Sequence, residues 1–80
     1  MNDLPLADLE PGELGRLLPA QGDAARRLRD LGFVAGTTIC VLRHGPLGDP
    51  IELELRGYRV CVRRADLSGL RVEPLPGSEQ

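Results

Sequence analysis

Apolar and polar positions alternate most cleanly near the middle of the chain. Ile51, Leu53 and Leu55 share one parity with Glu52 and Glu54 between them; Tyr58, Val60 and Val62 share another, with Arg59, Cys61 and Arg63 between them. A period of two marks strands with one buried face. The break at Gly57 predicts a hairpin that pairs Leu53 with Val60 and Ile51 with Val62. The same register sets Glu54 opposite Arg59 on the wet face, a favourable cross-strand pair. Upstream, Thr37 to His44 carries apolar residues on both parities (Ile39 and Val41, then Cys40 and Leu42), which predicts a strand covered on both faces. Glu13 to Leu18 reads as an earlier strand, with Gly15 as a bulge and Pro19 as its end. Leu70 to Glu73 reads as a last strand. Between the first two strands, Ala24, Leu28 and Leu31 recur at helical spacing, with Asp23 as N-cap and Asp23–Arg27 and Arg26–Asp30 as exposed pairs. Arg64 to Leu67 predicts a single helical turn.

The stretch from Leu28 to Gly36 organises the rest. Gly32 suits a left-handed helix end, Phe33 is the sole phenylalanine and plugs the join between helix and sheet, and Gly36 permits a second turn. Met1 to Asp3 should fray, Leu6 and Leu9 should pack onto the domain, and Pro74 onward should be disordered. About five short strands, glycine-rich turns and one inserted short helix predict a mainly all-β fold, a small closed SH3-like barrel. One domain fills residues 1–80, with its core at about 4–73.

Composition narrows the function classes. An 80-residue chain buries only about 60% of its unfolded surface, so a large internal cavity is not expected. Phe33 and Tyr58 are the only aromatic residues, so leucine and valine build the core. All ten basic residues are arginine, and the net charge of −2 speaks against a phosphate-backbone binder. Cys40 and Cys61 form no CxxC pair, and the N-terminus has no basic region followed by an apolar run. A reduced, cytoplasmic protein without membrane insertion is the expectation.

Catalytic signatures are missing: the chain has no GxSxG, P-loop or dinucleotide fingerprint. His44 is the single histidine, and Cys40 on the same strand lies about 13 Å from it, too far for a nucleophile–base pair. Whether Cys61 comes nearer across the sheet is left open. His44, Asp49 and a cysteine are weak metal ligands without paired partners. No enzyme activity, bound cofactor or resident metal is expected.

Folding alone leaves Gly45-Pro46-Leu47-Gly48-Asp49-Pro50 unexplained. An ordinary connector is polar at its tip; this one carries two prolines, two glycines and a leucine. Prolines lower the entropy of the free loop, so a partner loses less in ordering it. Leu47 is then an apolar anchor for a protein groove. The plainer alternative folds Leu47 back onto the barrel, with Asp49 capping local N–H groups. Arg26 and Arg29 offer a secondary electrostatic surface, or simply a solvated helix face.

Two motifs, Arg27-Leu28-Arg29-Asp30-Leu31-Gly32-Phe33-Val34-Ala35-Gly36 and Gly45-Pro46-Leu47-Gly48-Asp49-Pro50-Ile51, resemble the FeoA family in order and spacing. Val62 to Leu67, leading into Leu70 to Glu73, resembles the family's C-terminal segment. Ala35 departs from the family, which often has proline there. The resemblance implies an SH3-like barrel and a non-enzymatic accessory role in ferrous iron uptake. The implied partner is the cytosolic GTPase-containing part of a FeoB-type transporter, with Gly45, Pro46, Leu47, Gly48 and Asp49 as the contact. A related domain occurs in DtxR-type repressors beside a DNA-binding segment that this chain lacks, so nucleic acid is not an expected partner. The rival readings are a free-standing SH3-like module for peptides or nucleic acid, and an iron carrier. One edge strand leaves self-association into a homo-oligomer open.

Overall fold

A computed structural model describes residues 2–76. The predicted hairpin forms in the expected register. The strands Ile51–Leu55 and Tyr58–Val62 pair Leu53 with Val60, Ile51 with Val62 and Glu54 with Arg59. Arg56 and Gly57 make the two-residue turn, both at positive φ (53° and 86°), the backbone that matches strand twist in tight hairpins.

In chain order the strands are β1 (Leu4–Pro5), β2 (Leu14–Leu17), β3 (Thr38–His44), β4 (Ile51–Leu55), β5 (Tyr58–Val62) and β6 (Arg71–Leu75), with one helix, α1 (Asp23–Arg29). They form a single antiparallel sheet ordered β1-β6-β2-β3-β4-β5. Leu6, Leu9, Leu17, Phe33, Ile39, Val41, Ile51, Leu53, Leu55, Leu67, Leu70 and Val72 share one core. At about 1.5–3 kcal/mol per buried large side chain, that core supplies the main driving force.

The structure corrects several expectations. A sixth strand, β1, pairs Leu4 with Val72, and Asp3 is tied to Arg71 at 3.3 Å rather than fraying. β6 runs through Pro74 to Leu75. Proline is tolerated there because β1 begins only at Leu4, opposite Val72, and leaves the flank of β6 at Pro74 unpaired. The residues beyond Pro76, also expected to be disordered, lie outside the described residues. Gly15 is not a bulge: it pairs with both Ile39 and Pro74, and a Cβ on it would meet Val72 at 2.8 Å. The register shift falls in β3 between Val41 and Arg43, so Leu42 is the extra residue, while Cys40, ahead of the shift, lies opposite Glu54 and is half-buried. The buried face of α1 is Ala25 and Leu28, not Ala24, Leu28 and Leu31; Leu31 lies past the helix and is 44% exposed. Gly22, not Asp23, is the N-cap, and the ion pair is Arg26–Asp23 at 3.1 Å, one residue closer in sequence than expected. Tyr58 is exposed rather than inward.

The helix end follows the predicted pattern. The Phe33 N–H donates to the Leu28 carbonyl at 3.2 Å and the Gly32 N–H to the Arg29 carbonyl at 2.9 Å. These are the paired bonds of a Schellman cap with Gly32 at φ 100°. Phe33 is buried directly after it. Thr37, also buried, donates to the Gly32 carbonyl and accepts from Arg56 Nη2 at 3.1 Å, while the Tyr58 hydroxyl donates to the Leu31 carbonyl. The β4–β5 turn is thereby fastened to the helix end.

Candidate docking loop

The β3–β4 connection projects Leu47 fully into solvent, at 104% of its reference exposure. The fold-back alternative for this side chain is therefore wrong. Pro46–Gly48 makes two overlapping tight turns, in which Gly48 N–H donates to the Gly45 carbonyl at 2.8 Å and Asp49 N–H to the Pro46 carbonyl at 3.2 Å. Gly45 N–H donates to the Pro50 carbonyl at 2.7 Å and closes the base. Gly45 is required there, because a Cβ would lie 2.7 Å from the Asp49 carbonyl oxygen. Leu47 itself sits at φ 59°, ψ 22°, a left-handed conformation that costs a residue with a Cβ roughly 1–2 kcal/mol. A leucine held in that conformation with no packing partner is poorly explained by folding alone.

The loop is held from outside by Arg64, in the 3-10 turn Arg64–Leu67 after β5. Its backbone N–H donates to Asp49 Oδ1 at 2.8 Å, its Nε to the Gly48 carbonyl at 3.1 Å, and its Nη1 to the Ala7 carbonyl at 3.1 Å. Asp49 thus caps a distant segment rather than its own loop. His44, at the loop's entrance, bonds the Leu9 carbonyl through Nε2 at 3.0 Å. A carbonyl only accepts, so that nitrogen carries the proton. Arg64 and His44 are the supports that the sequence left unmarked. Their partners stand 16 and 35 residues away, beyond any local pattern.

Gly45, Pro46, Leu47, Gly48 and Asp49 form one continuous feature. Arg26 and Arg29 do not join it: among the described residues, no hydrogen bond or ion pair links either to the loop. Arg26 engages Asp23, and Arg29 borders a concavity of about 180 Å³ lined with Leu17, Ala25 and Phe33.

His44 and Cys61 do line one shallow concavity, of about 290 Å³, beside the loop with Arg43 and Glu52. Among the described residues no three His, Cys, Asp or Glu side chains gather as a metal site. Burial, with the nearby Glu54 charge as a second cause, pushes the Cys40 thiol above its ordinary range. That leaves it a poor nucleophile. No helix among the described residues is long and apolar enough to cross a membrane.

The strand order and the inserted helix define a small SH3-like domain. The FeoA domain family model matches residues 4–74, and the chain belongs to that family. It is 33% identical over 70 residues to the Fe(2+) transport protein A/Fe(2+) transporter FeoB fusion protein of Porphyromonas gingivalis. That match takes in 85% of this chain and spans only 8% of the relative's length. Among solved structures, the FeoA-like protein of Clostridium acetobutylicum superposes with a TM-score of 0.87 at 29% identity, covering 96% of this chain and 92% of that one. FeoA of Stenotrophomonas maltophilia, a prokaryotic SH3 domain protein solved with zinc, superposes with a TM-score of 0.76 at 26% identity, covering 88% of this chain and 89% of that one.

Proposed function

We propose that this chain is a non-enzymatic, cytoplasmic accessory domain of ferrous iron uptake that docks on the cytosolic GTPase-containing part of a FeoB-type transporter. One observation carries the functional reading: in the Porphyromonas gingivalis relative, Fe(2+) transport protein A and FeoB are named as one fused protein. Fusion replaces a bimolecular encounter with an intramolecular one and raises the effective concentration of the two parts to the millimolar range for short linkers.

The loop Gly45–Asp49 is the contact. Leu47 offers an apolar side chain free of intramolecular packing, and the Arg64 bonds hold its backbone before the partner arrives. Binding then loses little loop entropy, and the burial of one leucine is gained nearly in full. The arginines Arg26 and Arg29 add a weaker electrostatic surface. Shape and a preordered anchor are what the domain contributes; no step of the reading requires a bound cofactor.

Capture of the purified FeoB GTPase-containing domain by the immobilised chain tests this. Wild type is expected to capture it, and Leu47→Asp to lose capture at least tenfold while keeping its melting temperature. Equal capture by Leu47→Asp excludes the loop; absence of capture by wild type excludes the docking reading.

A further inference from the structure

β5 is the last strand of the sheet, and among the described residues nothing pairs with its outer side. In a two-residue hairpin the closing pair exchanges both ladder hydrogen bonds, and such pairs then alternate along the strands. Leu55–Tyr58, Leu53–Val60 and Ile51–Val62 are therefore the bonded pairs, and Arg59 and Cys61 turn their N–H and C=O groups toward the open edge. No loop or cap hydrogen bond takes up those groups among the described residues. The side chains of Arg59 and Cys61 are exposed as well.

The edge is basic in an acidic chain. Leu55 to Ala65 holds four of the ten arginines and no acidic residue, against a net charge of −2 for the whole. Two of the four are committed elsewhere: Arg56 to Thr37 and Arg64 to the loop. Arg59 only grazes Glu52, at 4.0 Å, in an exposed pair, and Glu52 already holds Arg43 at 2.9 Å. The Arg63 guanidinium has no hydrogen bond or ion pair among the described residues, and the residue borders the docking loop beside Asp49 and Pro50. Arg59 and Arg63 share one parity and stand about 13 Å apart. An added strand would run about 4.8 Å from them but about twice that from Glu52 and Glu54 on β4, so it meets the arginines first.

A second copy of β5 is the poorer occupant. Antiparallel self-pairing about Cys61 sets Arg59 opposite Arg63, and self-pairing about Arg59 sets it opposite itself; like charges directly across a ladder repel. Self-pairing about Val60 sets Arg59 opposite Cys61 and Arg63 opposite Gly57, which gives neither arginine a counter-charge, whereas an acidic strand does. On the inner face, Tyr58 is exposed and Val60 half-buried, so the same occupant finds apolar surface there.

We infer that the β5 edge accepts an extended segment of a protein partner, with acidic and apolar side chains alternating, as an added strand anchored by Arg59 and Arg63. This deepens the docking reading, since Arg63 places the edge beside the loop, but it depends on different residues. Backbone pairing supplies affinity and the alternate side chains supply register.

The test is an amide-resolved titration of the whole chain with a synthetic peptide alternating glutamate and valine. A lysine–valine peptide and a single-stranded oligonucleotide serve as controls. Saturable shifts and slowed exchange at the Arg59 and Cys61 amides are expected with the acidic peptide alone. Cys61→Pro, which removes an outward N–H and an exposed thiol and fixes φ, is expected to weaken binding at least tenfold. The double change Arg59→Glu and Arg63→Glu, which leaves the backbone intact, is expected to do the same if the proline variant does not fold. Leu47→Asp is expected to leave peptide binding unchanged. Shifts elsewhere, equal binding of the lysine peptide, the same response to the oligonucleotide, or full binding by a folded edge variant overturns the inference. Failure of FeoB capture with the peptide result intact strikes the docking reading alone.

Discussion

Single residues set the two joints on which the molecule turns. Gly32 combines φ 100° with a wall: a Cβ there would lie 2.6 Å from the Tyr58 hydroxyl. Gly32→Ala therefore carries both backbone strain and a clash with the group that fastens the hairpin to the helix end. A loss of about 2–3 kcal/mol is expected, read as a fall in melting temperature. Gly36→Ala, at φ 90° with open space around it, is expected to lose only about 1 kcal/mol; an equal loss at both sites would mean that the Tyr58 contact contributes nothing. Gly32, Phe33 and Leu47 were legible in the sequence because each is chemically out of place elsewhere: a glycine at a helix end, a lone aromatic, a leucine at a turn tip. Arg64 was not legible. Its partners Gly48, Asp49 and Ala7 come from two distant segments, and an arginine among ten announces no such role.

Among the elements, the β4–β5 hairpin was readable to the residue, because hydrophobic period and charge pattern select the same register. β1 was not readable: two residues carry no period, and Leu4–Pro5 becomes a strand only because β6 lies beside it. The apolar spacing of Ala24, Leu28 and Leu31 runs past the true end of the helix; the cap after Arg29 swings Leu31 outward, and Ala25 takes the buried place beside Leu28. The β3–β4 loop was recognised as unusual, whereas the direction of Leu47 depended on support from Arg64–Leu67. Arg64→Ala removes two charge-assisted bonds, to Gly48 and Ala7, and keeps the backbone bond to Asp49. The expected result is a stability loss of about 1–3 kcal/mol with the fold intact. Amide exchange at Gly48 and Asp49 is expected to accelerate and FeoB capture to weaken; unchanged exchange would show the loop to be rigid on its own.

Across the whole molecule, a principal-axis extent of 34 × 30 × 24 Å leaves surface as the main resource. An open concavity of about 450 Å³ is lined by Ala35, Gly36, Thr37, Thr38 and Arg56, with no carboxylate, thiol or imidazole among them. Asp49 and Pro50 of the loop line one concavity with Arg63, the residue that follows β5, so on the proposed reading one partner can engage the loop and the strand edge together. Two modest contacts on one rigid body add affinity without further ordering cost. The most direct measurement is an amide-resolved titration of the isotope-labelled chain with the purified cytosolic domain of FeoB. The expected result is saturable perturbation centred on Leu47, Gly48 and Asp49, whereas saturable binding that leaves these three amides unperturbed, or no binding at all, would contradict docking through the loop.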